Sequence, residues 1–574
     1  MSENRNLFNI SSNAFLRRGA WFGIFMKPQR FASPAKVGKR GTTDLFVGTR
    51  RIGAQHLADP MLMQLIPVHH GEIINFRIHA EAEELTIITS YGCIRFCFAE
   101  PSLILVKGEN GLGLRLERDM EIHQMARRRG EKGWETSFGY VCSVVYNPIK
   151  GDIDMDAKWD YERLSTPYVR GEVKPGADGE FLLSIEETEA FGRIRDHYPT
   201  YEEALADAKA DWEAFLEKQP LLAPEYSEDR KEAAYMTWSD LAGPAGLVLR
   251  PYIFMRSADP ASSWQMCQNA IVLKNHLDLA VELLLNMLDR LAPSGQLPDF
   301  FTDSRGAYLM IKPPLQGWAL ELLMREHDLG KEVPREKLEM MYDGYSRFAD
   351  WLFEYRAGTD GLITMEHGDE SGSDDSAIFK TAIAIDAPQQ SACTALLLEK
   401  LGDLAKILGK EDESSLWYEK SRLMIERLIA RFWNGERFVA YDHWQPERVI
   451  DTESIQFYYT LILGKRLPQE IIDKMAADLE EGQGYLSYAG FTTENLSASP
   501  YTEVGAGRGK ILPADNIIVT TGLYLAGKKD QARRAAKLYC DGLKTAGSFY
   551  YAGGFIGTWA AAAFQILANL YSNM

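Results

Sequence analysis

A change of hydrophobic period divides this chain near Pro199-Thr200-Tyr201-Glu202-Glu203. Before it the apolar residues alternate over short runs, as in Ile73–His79, Leu85–Tyr91 and Cys93–Phe98, and Gly/Asn breaks such as Lys107–Gly113 separate them. Further strands are expected at Gly139–Tyr146 and Gly179–Ile185. Many short strands with regular turn signals predict a sandwich. Arg127-Arg128-Arg129 reads as a solvated turn. From Thr200, which can cap a helix with Glu202 and Glu203 in its first turn, the spacing becomes helical. A connector helix is expected to about Lys218. Helices are then expected over Arg230–Ala242, Cys267–Leu291, Gln316–His327, Arg335–Tyr355, Pro388–Leu408 and Glu411–Phe432. They continue over Thr452–Leu463, Gln469–Glu480, Pro513–Ala526, Lys529–Thr545 and Thr558–Tyr571. Alternately short and long connections predict paired helices around an axis, with the long loops gathered at one end. The division expected is a β-sandwich-like domain over 1–198, a linker helix over 199–225 and a helical domain over 226–574.

Composition narrows the function. At 574 residues two domains are the natural expectation. The net charge of −18 disfavours nucleic acid, whose binding rests on phosphate neutralisation, and suits a neutral ligand. No apolar run has the length a membrane span needs. The first residues, Met1-Ser2-Glu3-Asn4-Arg5-Asn6, lead into no apolar signal core, so a cytoplasmic location is expected. The six cysteines (Cys93, Cys97, Cys142, Cys267, Cys393, Cys540) show no zinc spacing and are read as thiols. Aromatic residues at 11% permit stacking on sugar rings.

Four loops hold the unusual residues. The first, Ser262–Asn269, carries Trp264 and Gln268. The second runs through Gly295–Phe301 to Lys312–Trp318 and carries Gln316 and Trp318. The fourth, Glu503–Asn516, carries Arg508 and Asp515. The third is Met365–Phe379, with five carboxylates in ten residues and two glycines to turn the backbone. Like charges packed so closely raise one another's pKa, which keeps a carboxylic acid protonated near neutral pH. A solvated acidic loop is the plainer alternative. A calcium loop is another, although the run lacks the alternation and closing Glu of an EF-hand. Gly505-Ala506-Gly507-Arg508-Gly509 lacks the ending and the strand–helix frame of a phosphate loop.

Glu370-Ser371-Gly372-Ser373-Asp374-Asp375-Ser376 resembles the Glu-Ser-Gly-x-Asp-(Asp/Asn)-(Ser/Ala) loop of glycoside hydrolase family 63 and the trehalase-like (α/α)6 glycosidases. Lys312–Trp318 resembles that family's Pro-Pro-x-x-Gly-Trp loop. Gly507–Asn516 resembles its Trp-Arg-Gly-Pro segment with both tryptophans lost, and Gly554–Ala561 resembles its closing Gly-Phe-Gly-Trp segment. The resemblance covers roughly 200–574. It implies an (α/α)6 toroid behind the β-domain, an inverting hydrolase of a small α-linked, glucosidase-like substrate, and Asp374 as general acid. Inverting hydrolysis needs a second carboxylate to activate water. The family's base precedes its last segment, yet here no Asp or Glu follows Asp541. A relocated base is therefore expected at Glu503, with Glu453 and Glu494 as alternatives. Glu370 and Asp375 would hold hydroxyls or tune Asp374, and Gln316, Trp318, Arg508, Asp515, Trp264 and Gln268 would line the pocket. No cofactor or catalytic metal is expected, a structural calcium being the one ion considered. The oligomeric state is not legible. Three other readings stay open. They are a phosphorylase with phosphate at Lys510, Arg508 and Ser548, a sugar isomerase or epimerase, and a sugar-binding protein without catalysis.

Overall fold

The computed structural model describes residues 6–26, 45–51, 61–139, 141–498, 508–545 and 557–573. The alternating N-terminal runs form β1 (Phe22–Met26), β2 (Leu45–Thr49), β3 (Met61–His69), β4 (Glu72–Ile73), β5 (Arg77–Ala80), β6 (Leu85–Ile88), β7 (Cys93–Glu100) and β8 (Leu103–Gly108). They continue as β9 (Leu112–Asp119), β10 (Gln124–Arg129), β11 (Gly133–Phe138), β12 (Ser143–Lys150), β13 (Asp152–Asp156), β14 (Tyr168–Lys174) and β15 (Phe181–Thr188). Two antiparallel sheets result. One is ordered β1-β2-β3-β9-β14-β13 with β4 on β3, and the other β10-β11-β12-β15-β8-β7-β6-β5. Their buried rows include Leu65, Leu114 and Val173 from the first sheet and Phe96, Val106, Val144 and Ile185 from the second. Asn110 and Gly111 take positive φ where β8 turns into β9, which is why an Asn-Gly pair stands there. Arg127-Arg128-Arg129 is not a turn. It ends β10, and Arg127 and Arg129 both pair with the buried carboxylate of Glu135 on β11.

The helix expected after Thr200 forms as α1 (Tyr201–Lys218). Thr200 accepts from the Glu203 amide, and Glu203 accepts in return from the Thr200 amide, a reciprocal cap. Its apolar face, with Tyr201, Ala204, Ala208, Trp212 and Phe215, packs on β7 and β8 and on the helix that follows.

Beyond it come α2 (Ser227–Asp240), α3 (Ser263–Val272), α4 (Leu277–Asn286), α5 (Gln316–Met324), the single turn α6 (Leu329–Glu332), α7 (Arg335–Tyr355), α8 (Pro388–Ile407) and α9 (Glu411–Phe432). A 3-10 segment (Ile455–Arg466) follows, then α10 (Gln469–Asp478), α11 (Pro513–Leu525), α12 (Lys529–Thr545) and α13 (Thr558–Asn573). Among the described residues α3, α5, α8, the 3-10 segment, α11 and α13 each pack on the next, and α13 packs on α3, so the ring closes. Outside it lie α4, α7, α9, α10, α12 and α2. This is the (α/α)6 toroid. Inner members are buried on every face: all ten residues of α3 are buried, as are Thr558–Ala568 of α13. Outer members such as α12 bury one stripe only. Inner helices pass to outer ones through short connections such as 273–276, 408–410, 467–468 and 526–528. Each inner segment is instead preceded by a long connection: 241–262, 291–315, 356–387, 433–454, 479–512 and 546–557. All six inner N-termini therefore face one end, where the described parts of the long connections form a mouth.

Two helix expectations need correction. Cys267–Leu291 is two helices, not one, and Leu273–His276 turns the chain from the inner to the outer ring. Its apolar pattern runs through the break because both sides are buried. Ser262–Asn269 is a helix start rather than a loop, since Ser262 and Gln265 close a capping box.

The β-domain meets the toroid through buried polar contacts. Arg50 on the β-domain side pairs with Asp240 at 2.6 Å with both side chains fully buried, and it also donates to the Ser239 carbonyl at 2.7 Å. Burial raises the Asp240 carboxyl and lowers the Arg50 guanidinium, and each charge opposes that effect in the other. Backbone bonds Gly19 N to Leu241 O and Gly243 N to Gly19 O complete the seam.

Candidate active site

The acidic stretch lies at the mouth, between α7 and α8. It starts as the strand Thr364–Met365, turns once as a 3-10 helix over Gly368–Ser371, and reverses at Gly372. Gly372 has a φ of +77°, and a Cβ there would lie inside the indole of Trp264. Only glycine meets both conditions. Gly368 is pressed in the same way against the Asp374 carbonyl. Expected to line the pocket, Trp264 is buried at 3% exposure, with its ring under the acidic turn and tilted against Trp559.

Buried at 1% exposure, Glu370 anchors the loop. Arg356 donates to its two oxygens at 2.8 and 2.7 Å, and the amide of Glu366 donates at 2.6 Å. Gln390 on α8 donates to its carbonyl at 2.7 Å. Neither carboxylate oxygen is left open to a sugar hydroxyl.

Asp374 differs in every respect. Its side chain is exposed at the mouth. Its carboxyl is nonetheless pushed up to about 6, first by partial desolvation, then by a hydrogen bond to Asp369 and by that residue's charge, with Asp375 adding and Lys312 opposing. The result is an accessible carboxylic acid that holds its proton toward neutral pH. Neither Asp369 nor Lys312 was singled out from the sequence. The signal for Asp369 was its place in a glycine-closed run, which brings residue 369 back to 374. Lys312, ahead of the Pro-Pro pair, donates to the Asp369 carbonyl at 2.6 Å and stands 3.8 Å from Asp299. Burial, with Asp369 and Glu370 adding, holds the Asp299 carboxyl above its usual range against Lys312.

The remaining expected residues fall into two groups. Asp375 meets Arg508, Nε to Oδ2, at 3.7 Å, with the Arg508 side chain half exposed, so both stay at the mouth. Trp318 is fully buried in the ring and donates to Thr521 at 3.0 Å. Gln316 begins α5 and Gln268 lies midway along α3. Both are buried, and their carbonyl oxygens have no protein hydrogen-bond partner among the described residues. The same holds for one oxygen each of Gln389, Gln390 and Asp515. Asp515 is 1% exposed in the first turn of α11, accepts from the Tyr459 hydroxyl, and is pushed up to about 7 by burial. The inner N-termini thus hold unused acceptors beneath the mouth.

For the second carboxylate, Glu453 is engaged by Arg437 and by the Tyr485 hydroxyl. Glu494, 2% exposed, accepts from the Ala377 amide at 2.8 Å, one hydrogen bond from the acidic loop. Glu503 and Ser548 lie outside the described residues. The described flanks of the 499–507 segment both reach the acidic loop, through Glu494 on Ala377 and Arg508 on Asp375. Among the described residues no group of three or more His, Cys, Asp or Glu side chains is placed to hold a metal ion. No helix among them is long and apolar enough to cross a membrane.

Residues 286–561 match the family model of the mannosylglycerate hydrolase MGH1-like glycoside hydrolase domain. The resemblance to glycoside hydrolase family 63 holds over that stretch. Among solved structures, the GH63 mannosylglycerate hydrolase of Thermus thermophilus in complex with Tris is 15% identical. That match covers 58% of this chain and 98% of the other with a TM-score of 0.48. The same enzyme with Tris and D-glycerate is 17% identical over 57% and 95% of the two chains, TM-score 0.47. Its complex with glucose is 17% identical over 53% and 92%, TM-score 0.46. No curated protein matches the chain.

Proposed function

We propose that this chain, with its MGH1-like glycoside hydrolase domain over residues 286–561, hydrolyses an α-linked small oligosaccharide or glycoside with inversion. Asp374 is the general acid. The single observation that carries this is its carboxyl, open at the mouth yet raised to about 6 by desolvation and by Asp369 beside it. Such a group donates its proton to the glycosidic oxygen as the bond breaks. Glu503, which lies in sequence between Glu494 and Arg508, two residues that contact the acidic loop, is the base that deprotonates water. Glu494 is the alternative, one amide away from that loop. Asp375 and Arg508 contact the departing group at the rim. Gln316 and Asp515 near the starts of α5 and α11, with Gln268 midway along α3, supply acceptors toward sugar hydroxyls. The family description names a mannosylglycerate hydrolase, which favours including mannosyl as well as glucosyl substrates.

The test is hydrolysis of α-glucosyl and α-mannosyl disaccharides, glycerates and aryl glycosides, with and without phosphate. The enzymes compared are wild type, Asp374→Asn, Glu503→Gln and Glu494→Gln. Phosphate-independent turnover lost in Asp374→Asn and Glu503→Gln is expected. Turnover that survives Glu503→Gln and fails in Glu494→Gln moves the base, and turnover that requires phosphate replaces the hydrolase with a phosphorylase.

A further inference from the structure

From residue 201 onward, five large apolar side chains among the described residues are more than 70% exposed: Leu221, Leu309, Ile383, Trp444 and Tyr488. Leu221 is in the connector. The other four sit on connections that precede inner helices, at the mouth. Scattered apolar exposure is ordinary, but concentration around the opening of a site marks contact with a ligand or partner.

Trp444 is the most built of these. Its turn is pinned by Asp442, whose Oδ1 accepts from the amides of Trp444 at 2.9 Å and Gln445 at 3.3 Å, while Arg448 reaches the other oxygen at 3.4 Å. The His443 ring stands edge-on to the indole, centroids 4.8 Å apart and planes at 79°. His443 is itself fixed, with Nδ1 2.9 Å from Asp386, which also accepts from Thr364 at 2.7 Å. The indole remains 78% exposed. The pinned turn and the His443 contact fix where the indole stands while leaving most of it open. Ile385 pairs with Asp442 and Asp386 with Tyr441, and the His443 amide donates to the Ala384 carbonyl at 3.0 Å, so Trp444 follows directly from this ladder. The neighbouring strand, Thr364–Met365, is the root of the acidic loop. The exposed indole therefore follows a strand of the same small sheet whose first strand leads into the acidic loop.

We propose that Trp444 is a stacking platform for a sugar ring of the substrate beyond the two that flank the cleaved bond, so that the substrate is an α-linked oligosaccharide of three or more units. The occupant is a neutral saccharide for two reasons. A pyranose offers the C–H face that an indole accepts, and no cation that would hold an anionic ring is among the hydrogen-bond and ring partners of the indole given above. The proposal rests on the hydrolase reading given above.

The experiment measures kcat/KM for α-linked gluco- and manno-oligosaccharides of two, three and four units with wild type, Trp444→Ala and Trp444→Phe. Sedimentation velocity is run on each protein. Wild type is expected to gain about tenfold from two units to four, with that gain lost in Trp444→Ala and partly kept in Trp444→Phe. A flat dependence on length in wild type, or an unchanged dependence in Trp444→Ala, overturns the platform while leaving the hydrolase standing. A dimer that Trp444→Ala dissociates overturns it in favour of a contact between copies. If wild type cleaves neither these sugars nor aryl glycosides, the hydrolase reading fails and the platform with it.

Discussion

Replacing Asp369 by Asn tests the electrostatics of the site without touching the acid itself. Asp374 stands at about 6 against the usual 3.8 for an aspartate. As a general acid it works in its protonated form, so activity falls as pH rises through that value. At pH 7 a group of pKa about 6 is roughly 9% protonated, while one at 3.8 is about 0.06% protonated, so complete loss of the shift costs at most about 140-fold. Desolvation is the first cause and survives the change, as does the charge of Asp375, and Lys312 continues to oppose both. If Asp369 accounts for about half of the rise, activity at pH 7 drops about tenfold, whereas at pH 5 it drops less, by about twofold. The assay is kcat/KM between pH 4.5 and 8.5 for wild type and Asp369→Asn. A variant whose alkaline limb moves toward acid while its low-pH plateau is kept supports the reasoning. Equal loss at every pH would falsify it and make Asp369 a structural residue only.

Four further outcomes are expected. Gly372→Ala puts a methyl into the Trp264 ring at a φ of +77°, so stability falls by at least about 1–2 kcal/mol and activity by more than tenfold, read by thermal denaturation and aryl glycoside hydrolysis. Glu370→Gln breaks a buried bidentate pair with Arg356. A loss of about 3–5 kcal/mol is expected in chemical denaturation, smaller in Arg356→Met/Glu370→Leu, which leaves no charge unpaired. The same logic and magnitude apply to Arg50→Met at the seam with Asp240. Asp515 is raised in the fold from 3.8 to about 7, so its stabilising proton is fully bound below pH 3.8 and lost as pH climbs through 7. Wild type should lose up to about 3 kcal/mol between pH 4.5 and 7.5 relative to Asp515→Asn, measured as unfolding free energies from chemical denaturation of both at the two pH values.

Local signals carried most of the architecture. The change of period at Thr200, the reciprocal Thr200–Glu203 cap and the alternation of short and long connections all describe neighbours in sequence, and the structure keeps them. The acidic loop was legible for the same reason, because its two glycines and crowded carboxylates are contiguous. What failed to read was nonlocal or masked by burial on both sides. The turn at Leu273–His276 has no Gly or Pro and lies between two apolar helices, so one long helix looked sound. Glu370 looked like a hydroxyl ligand until Arg356, fourteen residues earlier, was seen to take both its oxygens. Trp318 reads as a pocket-lining residue because nothing in its own loop announces the Thr521 hydroxyl across the ring. Arg127-Arg128-Arg129 read as a turn because its counter-ion, Glu135, lies on the next strand.

The central claim is inversion driven by Asp374, and the anomer released tests it most directly. Proton NMR of the first turnovers on an α-linked glycoside should show the β-anomer forming before mutarotation, with Asp374→Asn at least about 1,000-fold slower at the same pH. Release of the α-anomer, or an Asp374→Asn enzyme as fast as wild type, would contradict the account.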